Sequence, residues 1–184
     1  MQTAKVRSDT QTVWTIDRAH SSVEFIFKHF FFFTVKGRFT EFAGTIVLDQ
    51  ADIASSSVEV AIEAASLDTG IKRRDVHLRS ADFLDADRYP HVRFQSTKVE
   101  AGKDRDTLWL TGSLTIKGKT KEIVLDVDKL DQSRSPDGEE VLYYSTSSEL
   151  DRFDFGIGHR PGLIGRTLQI IINVQASRRS GTNR

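Results

Sequence analysis

Alternation of apolar and polar residues with a period of two runs through most of this chain, and it limits the possible folds more than any other feature. In one segment Val23, Phe25 and Phe27 alternate with Glu24, Ile26 and Lys28. Such alternation is typical of β-strands with one buried face. The pattern predicts about eight strands, in segments 23–28, 36–48, 58–64, 92–95, 108–117, 123–128, 140–150 and 168–175.

Short turns connect most of these segments. Lys117-Gly118-Lys119 and Pro136-Asp137-Gly138 are strong hairpin signals. Short connections favour antiparallel neighbours, because parallel strands need long crossovers. We therefore predict an all-β protein whose antiparallel strands close into a barrel. Periodicity alone leaves a two-layer sandwich open, and it leaves a solid core and a ligand cavity about equally favoured.

The segment 68–90 does not alternate, and we predict that it forms a short helical flap across one end of the sheet. Asp68 or Thr69 is expected to cap the helix, with Ile71 and Leu78 facing inward. Earlier in the chain, Gly37 and Gly44 are expected to mark a bulge or a sharp bend.

Four consecutive phenylalanines, at positions 30–33, follow His29. They cannot all face one side of a strand, so some of the rings must be covered by a helix, a lipid or a second copy of the chain. A possible homodimer is therefore one expectation.

Composition excludes several classes of protein. The 184 residues fit one domain, expected at 12–178 with flexible termini at 1–11 and 179–184. Lysine plus arginine and aspartate plus glutamate both number 26, so no basic excess indicates nucleic-acid binding. Cysteine is absent, and no apolar run approaches the roughly 20 residues of a membrane span. No signal peptide is seen, which favours the cytoplasm, or the periplasm or secretion if the N-terminus is processed or trimmed.

Catalytic motifs are scarce. The five histidines lack metal-ligand spacing, and no motif predicts a cofactor, so we expect neither metal nor cofactor. Asp75 and His77, with His29, form the one constellation that an enzyme would use at a barrel mouth. The competing and favoured interpretation is structural, with Arg74, Asp75 and His77 fixing the flap by hydrogen bonds.

Basic residues accompany both the phenylalanine run and the flap. Lys28 and His29, together with Arg73, Arg74 and Arg79, form a possible rim for an anionic head group. From the sequence pattern alone, the favoured alternative is that these basic side chains are scattered over the surface and solvated.

Several motifs, taken together and in order, resemble the YceI-like family across about Trp14 to Ala176. They are His20-Ser21-Ser22-Val23-Glu24-Phe25, Lys28-His29, Val35-Lys36-Gly37-Arg38-Phe39, Arg74-Asp75-Val76-His77-Leu78-Arg79-Ser80-Ala81-Asp82-Phe83-Leu84-Asp85, Tyr89-Pro90-His91-Val92-Arg93-Phe94-Gln95-Ser96, Gly112-Ser113-Leu114-Thr115-Ile116-Lys117-Gly118-Lys119-Thr120 and Arg152-Phe153-Asp154-Phe155-Gly156.

The resemblance implies an extended, eight-stranded, lipocalin-like barrel that binds a polyisoprenoid, such as an isoprenoid quinone or a prenyl pyrophosphate, for transport, storage or sensing. It implies no catalytic activity; an enzyme acting on a hydrophobic substrate stays the alternative. The phenylalanine run is bulkier than the family's usual residues there and is expected to narrow the pore or line it. The expected lining residues are Phe25, Phe27, Phe32, Phe39, Phe42, Phe94, Leu110, Leu114 and Ile170.

Overall fold

The computed structural model describes residues 10–30, 32–158 and 163–178, and these residues are mostly β-strand. A single α-helix, α1, spans Lys72–Arg79 within them, and a 3-10 turn at Arg152–Phe155 precedes the last strand. The described strands are β1 (Gln11–Ile16), β2 (Ser22–His29), β3 (Phe33–Phe39), β4 (Phe42–Asp49), β5 (Ser57–Glu63), β6 (Leu67–Asp68), β7 (His91–Ala101), β8 (Thr107–Ile116), β9 (Lys119–Arg134), β10 (Glu140–Asp151) and β11 (Ile164–Arg178).

The sheet closes on itself. Its hydrogen-bonded order runs β1, β4, β5, β7, β8, β9, β10 and β11, and β11 pairs with β1 again. β1 and β2 both pair with β11, so they are two halves of one bent strand. In the same way, β3 and β4 form the two halves of a second bent strand, and β5 and β6 form the two halves of a third. The predicted closed, eight-stranded antiparallel barrel is confirmed. The alternation pattern missed β1, which precedes the first predicted strand.

The bend in the β3–β4 strand lies at Thr40 and Glu41, so its predicted position at Gly37 and Gly44 was wrong. Pairing runs through both glycines without a shift in register. The glycines provide space instead: a Cβ on Gly37 would lie 2.3 Å from the ring of Phe25.

The predicted flap is present, and Leu78 is buried beneath α1 as expected. The predicted cap and the inward position of Ile71 are wrong. Ile71 is itself the N-cap, without a side-chain hydrogen bond, and its side chain is exposed. The cause is Asp75 in the first helical turn, whose carboxylate accepts hydrogen bonds from the backbone N–H and the hydroxyl of Thr69. This contact fixes the loop before the helix.

The barrel has two different ends. At one, which we call the closed end, Trp14, Leu142 and Ala176 are at most 1% exposed and pack together. At the other, which we call the vestibule end, lie the β2–β3 turn, α1 and the chain between β10 and β11. Within the described residues, no helix is long and apolar enough to cross a membrane.

One seam of the barrel is incomplete. β9 and β10 pair only between 127–134 and 140–146, where the hydroxyl of Thr146 also donates to the carbonyl of Asp126. Toward the vestibule end the two strands part, and the Arg152–Phe155 turn contacts both. Phe155 of this turn is buried in the core. Lys117, in the predicted β8–β9 hairpin turn, donates to the carbonyls of Ala81 and Gly156 at 2.7 and 3.2 Å.

Candidate ligand-binding site

An apolar cavity of about 240 Å³ lies inside the barrel. It extends from Leu78 and Ile157 at the vestibule end to Leu108 and Val127 near the other end. On β11 alone it follows the chain from Ile164 to Val174, roughly 30 Å of strand. Trp14, Leu142 and Ala176 of the closed end do not line the cavity; they lie beyond it.

Eight of the nine predicted lining residues do line this cavity. The exception is Phe32, which is 86% exposed and lies in the turn between β2 and β3. The eight are Phe25, Phe27, Phe39, Phe42, Phe94, Leu110, Leu114 and Ile170.

Strand alternation explains why these residues converge. Successive side chains on a strand point to opposite faces, so alternate residues of a barrel strand face the interior. On β2 this places Phe25 and Phe27 inside, with nearly parallel rings whose centroids are 6.3 Å apart. Phe39 on the neighbouring β3 packs against Phe25 at 5.5 Å. The predicted narrowing of the pore by the phenylalanine run is wrong for Phe30, Phe32 and Phe33, which are exposed; Phe31 lies outside the described residues.

Sequence reasoning missed other parts of the wall. Phe83 and Leu84, after α1, and Ile157, after β10, line the cavity from segments that do not alternate. Only tertiary packing brings these segments to the barrel, so strand periodicity carried no signal for them.

Sequence reasoning also missed Tyr144 on β10, which is one of the few polar residues that line the cavity, together with Glu24, Ser56, Ser145, Thr146 and Arg152. Its side chain lines the cavity next to the closed-end cluster. No hydrogen-bond partner for its hydroxyl is found among the described residues. Burial raises the pKa of the Tyr144 phenol above its ordinary value. A neutral phenol therefore offers a hydrogen-bond donor to whatever fills the cavity.

A second cavity, of about 740 Å³, adjoins the first at the vestibule end; we call it the vestibule. Phe27, Leu78, Phe83, Arg152 and Ile164 line both cavities, so the two are neighbours in space. The other lining residues of the vestibule include charged and titratable side chains. They are His29, Val35, Arg74, His77, Asp82, Gly158 and Leu163.

Arg152 lies at the junction of the two cavities and is buried. Its guanidinium donates to the carbonyls of Ile157, Ile164 and Gly165 and lies over the ring of Phe153 at 4.2 Å. Burial lowers the pKa of Arg152, and the nearby Asp151 carboxylate opposes this shift. The side chain joins the chain after β10 to the start of β11, and so supports the wall where the vestibule meets the pore.

The predicted head-group rim is only partly assembled. His29 and Arg74 both line the vestibule. The ammonium of Lys28 is exposed and donates to the hydroxyl of Thr34 at 2.7 Å. Arg79 donates to the carbonyl of Leu67. Lys28 and Arg79 thus lie outside the vestibule wall, while His77, predicted for another role, lies in it.

The constellation considered for catalysis is only partly assembled, because His29 and His77 both line the vestibule and Asp75 does not. The Asp75 carboxylate is buried and accepts hydrogen bonds from Thr69, as the structural interpretation expected. His77 is exposed, lies 3.3 Å from Asp82 and packs edge-on against Phe83. Among the described residues no group of three or more histidine or acidic side chains is arranged to hold a metal ion.

A closed antiparallel barrel with an apolar cavity along its axis defines a lipocalin-like barrel protein. The chain belongs to the YceI-like family, because the family's YceI-like domain matches residues 14–176. A UPF0312 protein of Vibrio cholerae is 39% identical over 139 residues, which cover 76% of this chain and 73% of that protein.

Solved structures agree on the fold. The YCEI protein of Campylobacter jejuni is 31% identical, with a TM-score of 0.74 over 83% of this chain and 90% of that one. A polyisoprenoid-binding domain from Saccharophagus degradans, implicated in plant cell wall breakdown, has a TM-score of 0.68 at 14% identity, over 90% of this chain and 98% of that one. The family predicted from the sequence is thus confirmed.

Proposed function

We propose that this protein binds a polyisoprenoid lipid in the barrel cavity and carries or stores it, and that it is not an enzyme. The observation that carries the proposal is the continuous apolar wall from the vestibule to Tyr144. The polyisoprenoid-binding domain of Saccharophagus degradans, which shares the fold, supports the choice of ligand.

The apolar wall is sufficient to hold a prenyl chain. The cavity exceeds the roughly 150 Å³ of an engineered apolar cavity that stays dry and binds benzene. A chain that enters it gains roughly 0.8 kcal/mol for each buried CH₂ group. Affinity thus comes from the length of the buried chain and needs few polar contacts.

Polar groups at the two ends of this wall suit two kinds of head group. Arg74 and the two histidines of the vestibule suit an anionic diphosphate. The phenol of Tyr144, deep in the cavity, suits the carbonyl of an isoprenoid quinone. We therefore keep both ligand types in the proposal, with opposite orientations of the chain in the barrel.

Mass spectrometry of lipids extracted from the purified protein tests the proposal directly. We expect a stoichiometric polyisoprenoid, or its uptake by stripped protein offered isoprenoid quinones and prenyl diphosphates. Protein that contains no lipid and takes up neither would refute the proposal.

A matched pair of variants on β11 tests whether the ligand occupies the cavity. Ile170 lines it, whereas Ile171 does not and pairs with Ser147 and Glu24. Ile170→Trp fills the cavity with an indole and should abolish uptake, while Ile171→Trp should leave it within about twofold of wild type. Equal uptake by both variants would place the ligand elsewhere. The cytoplasmic location and the possible homodimer stay predictions.

A further inference from the structure

We propose that the vestibule end docks onto the surface of an anionic lipid bilayer. The starting observation is the distribution of exposed apolar side chains. Six of the nine large ones in the described residues lie at this end, and we call them the mouth patch. Its members are Phe30, Phe32, Phe33, Ile71, Val76 and Leu163.

The mouth patch surrounds the opening of the vestibule. Phe30 and Leu163 are joined by a backbone hydrogen bond of 2.7 Å, and Leu163 also lines the vestibule. On the opposite side, Val76 lies on α1, whose Arg74 and His77 line the vestibule. Grouped exposure of this kind marks an interaction surface, whereas scattered apolar side chains on a soluble protein need no explanation.

Positive charge accompanies the patch. Lys72 and Arg73 on α1 are exposed and make no ion pair with the described residues. Lys28, next to the phenylalanine turn, donates to the neutral hydroxyl of Thr34 and makes no ion pair within the described part of the chain. Asp82 is the acidic side chain in the vestibule wall, and it lies against His77. Aromatic rings flanked by lysine and arginine are the usual composition of surfaces that bind anionic bilayers.

These charges favour a bilayer over a second copy of the chain. A symmetric dimer through the mouth patch would bring two surfaces with the same basic residues together, and it would cover the vestibule. A bilayer supplies the opposite charge and accommodates a projecting ring such as Phe32, which is 86% exposed. If the proposed function holds, docking also lets a lipid pass between leaflet and pore without crossing water.

Flotation with vesicles tests the docking. Phosphatidylcholine vesicles and vesicles with one quarter phosphatidylglycerol are the probes. We expect binding to the anionic vesicles that weakens at high salt. The double variant Phe33→Ser with Val76→Ser should lower the partition coefficient by about tenfold for each side chain removed. These side chains are 65% and 67% exposed.

A matched control comes from β9. Val124 and Leu130 are 59% and 62% exposed and lie outside the mouth patch. Val124→Ser with Leu130→Ser should bind vesicles like wild type. A Phe32→Trp reporter should show a blue-shifted emission that brominated lipids quench. Equal loss in the control, no vesicle binding at all, or a dimer in light scattering that only the mouth-patch variant dissociates would each overturn the proposal.

Uptake of a quinone from ethanol, without vesicles, separates docking from ligand binding. Protein that takes up quinone but does not bind vesicles would overturn the docking alone. Protein that binds vesicles but takes up no polyisoprenoid would leave the docking standing and overturn the proposed function.

Discussion

At the closed end of the barrel three side chains are almost fully buried, whereas at the vestibule end six large apolar side chains are exposed around an opening. Trp14, Leu142 and Ala176 fill the closed end by apolar packing, and Arg178 lies over the indole of Trp14 at 5.0 Å. The vestibule end is also packed by apolar side chains, among them Leu78 and Phe155, and polar contacts of Arg152 and Lys117 to backbone carbonyls are added there. The difference teaches that apolar packing stabilises both ends, whereas access to the cavity is confined to the vestibule end.

Removing the indole at the closed end should have the largest effect. Trp14→Ala leaves a cavity under several strands and should lower the free energy of unfolding by about 3–5 kcal/mol, measured by urea denaturation. Trp109→Ala is the control, since this indole is 37% exposed on β8 and its removal should cost less, about 1–2 kcal/mol. Similar losses for the two variants would contradict the idea that the buried indole of Trp14 contributes more to stability than the partly exposed indole of Trp109.

The polar support of the vestibule end should come next. Arg152→Met leaves three carbonyls without their donor and should lower the free energy of unfolding by about 2–3 kcal/mol. Hydrogen exchange should accelerate at the start of β11. Arg166→Met provides the comparison, because Arg166 is exposed and its ion pair with Asp151 should contribute at most about 1 kcal/mol. A loss for Arg152→Met as small as for Arg166→Met would show that other contacts hold this end.

The deep phenol should have a smaller effect, confined to ligand choice. Tyr144→Phe removes a donor from the cavity and should weaken quinone binding by about fivefold, with little change for a prenyl diphosphate, in a fluorescence titration. Tyr143→Phe is the matched control, because the neighbouring Tyr143 does not line the cavity. If wild type, Tyr144→Phe and Tyr143→Phe bound the quinone with equal affinity, its head group would not lie next to Tyr144.

The smallest expected effect is a pH dependence. Burial raises the pKa of Tyr144 above its ordinary value of 10.0, so the folded protein keeps this proton at a pH where the unfolded chain has lost it. Its contribution to stability is present below about pH 10 and is lost as the pH rises further. Between about pH 9 and 11 the free energy of unfolding should therefore fall less steeply with pH in Tyr144→Phe than in wild type. If the free energy of unfolding had the same pH dependence in both proteins, a raised pKa of Tyr144 would be contradicted.

The sequence predicted the strands well because strand alternation is a local signal that tertiary packing then reinforces, whereas the choice of a barrel over a sandwich rested on the family resemblance. Phe25 and Phe27 line the cavity, whereas Ile26 and Lys28, which alternate with them, do not. The same logic failed at Ile71, whose direction is set by the contact between Asp75 and Thr69. It failed too for Phe32, since a tight turn releases a side chain from the alternation of its strands.

Tyr144 shows a different limit of sequence reasoning. β10 is rich in polar residues, and its register with β9 shifts between Tyr143 and Tyr144. A pattern of polar residues cannot say which hydroxyls will find partners, because those partners come from distant strands. Thr146 finds the carbonyl of Asp126, whereas no partner for Tyr144 is found among the described residues.

The incomplete seam between β9 and β10 leaves part of the barrel circumference without backbone hydrogen bonds to fix its width. A fully hydrogen-bonded barrel has a diameter fixed by its strand number and stagger. Here the half of the wall nearest the vestibule is joined by side-chain packing of the Arg152–Phe155 turn, which can slide without breaking a ladder of backbone hydrogen bonds. We therefore expect any widening of the pore to be confined to this side, because the backbone ladder between β9 and β10 resumes at Val127.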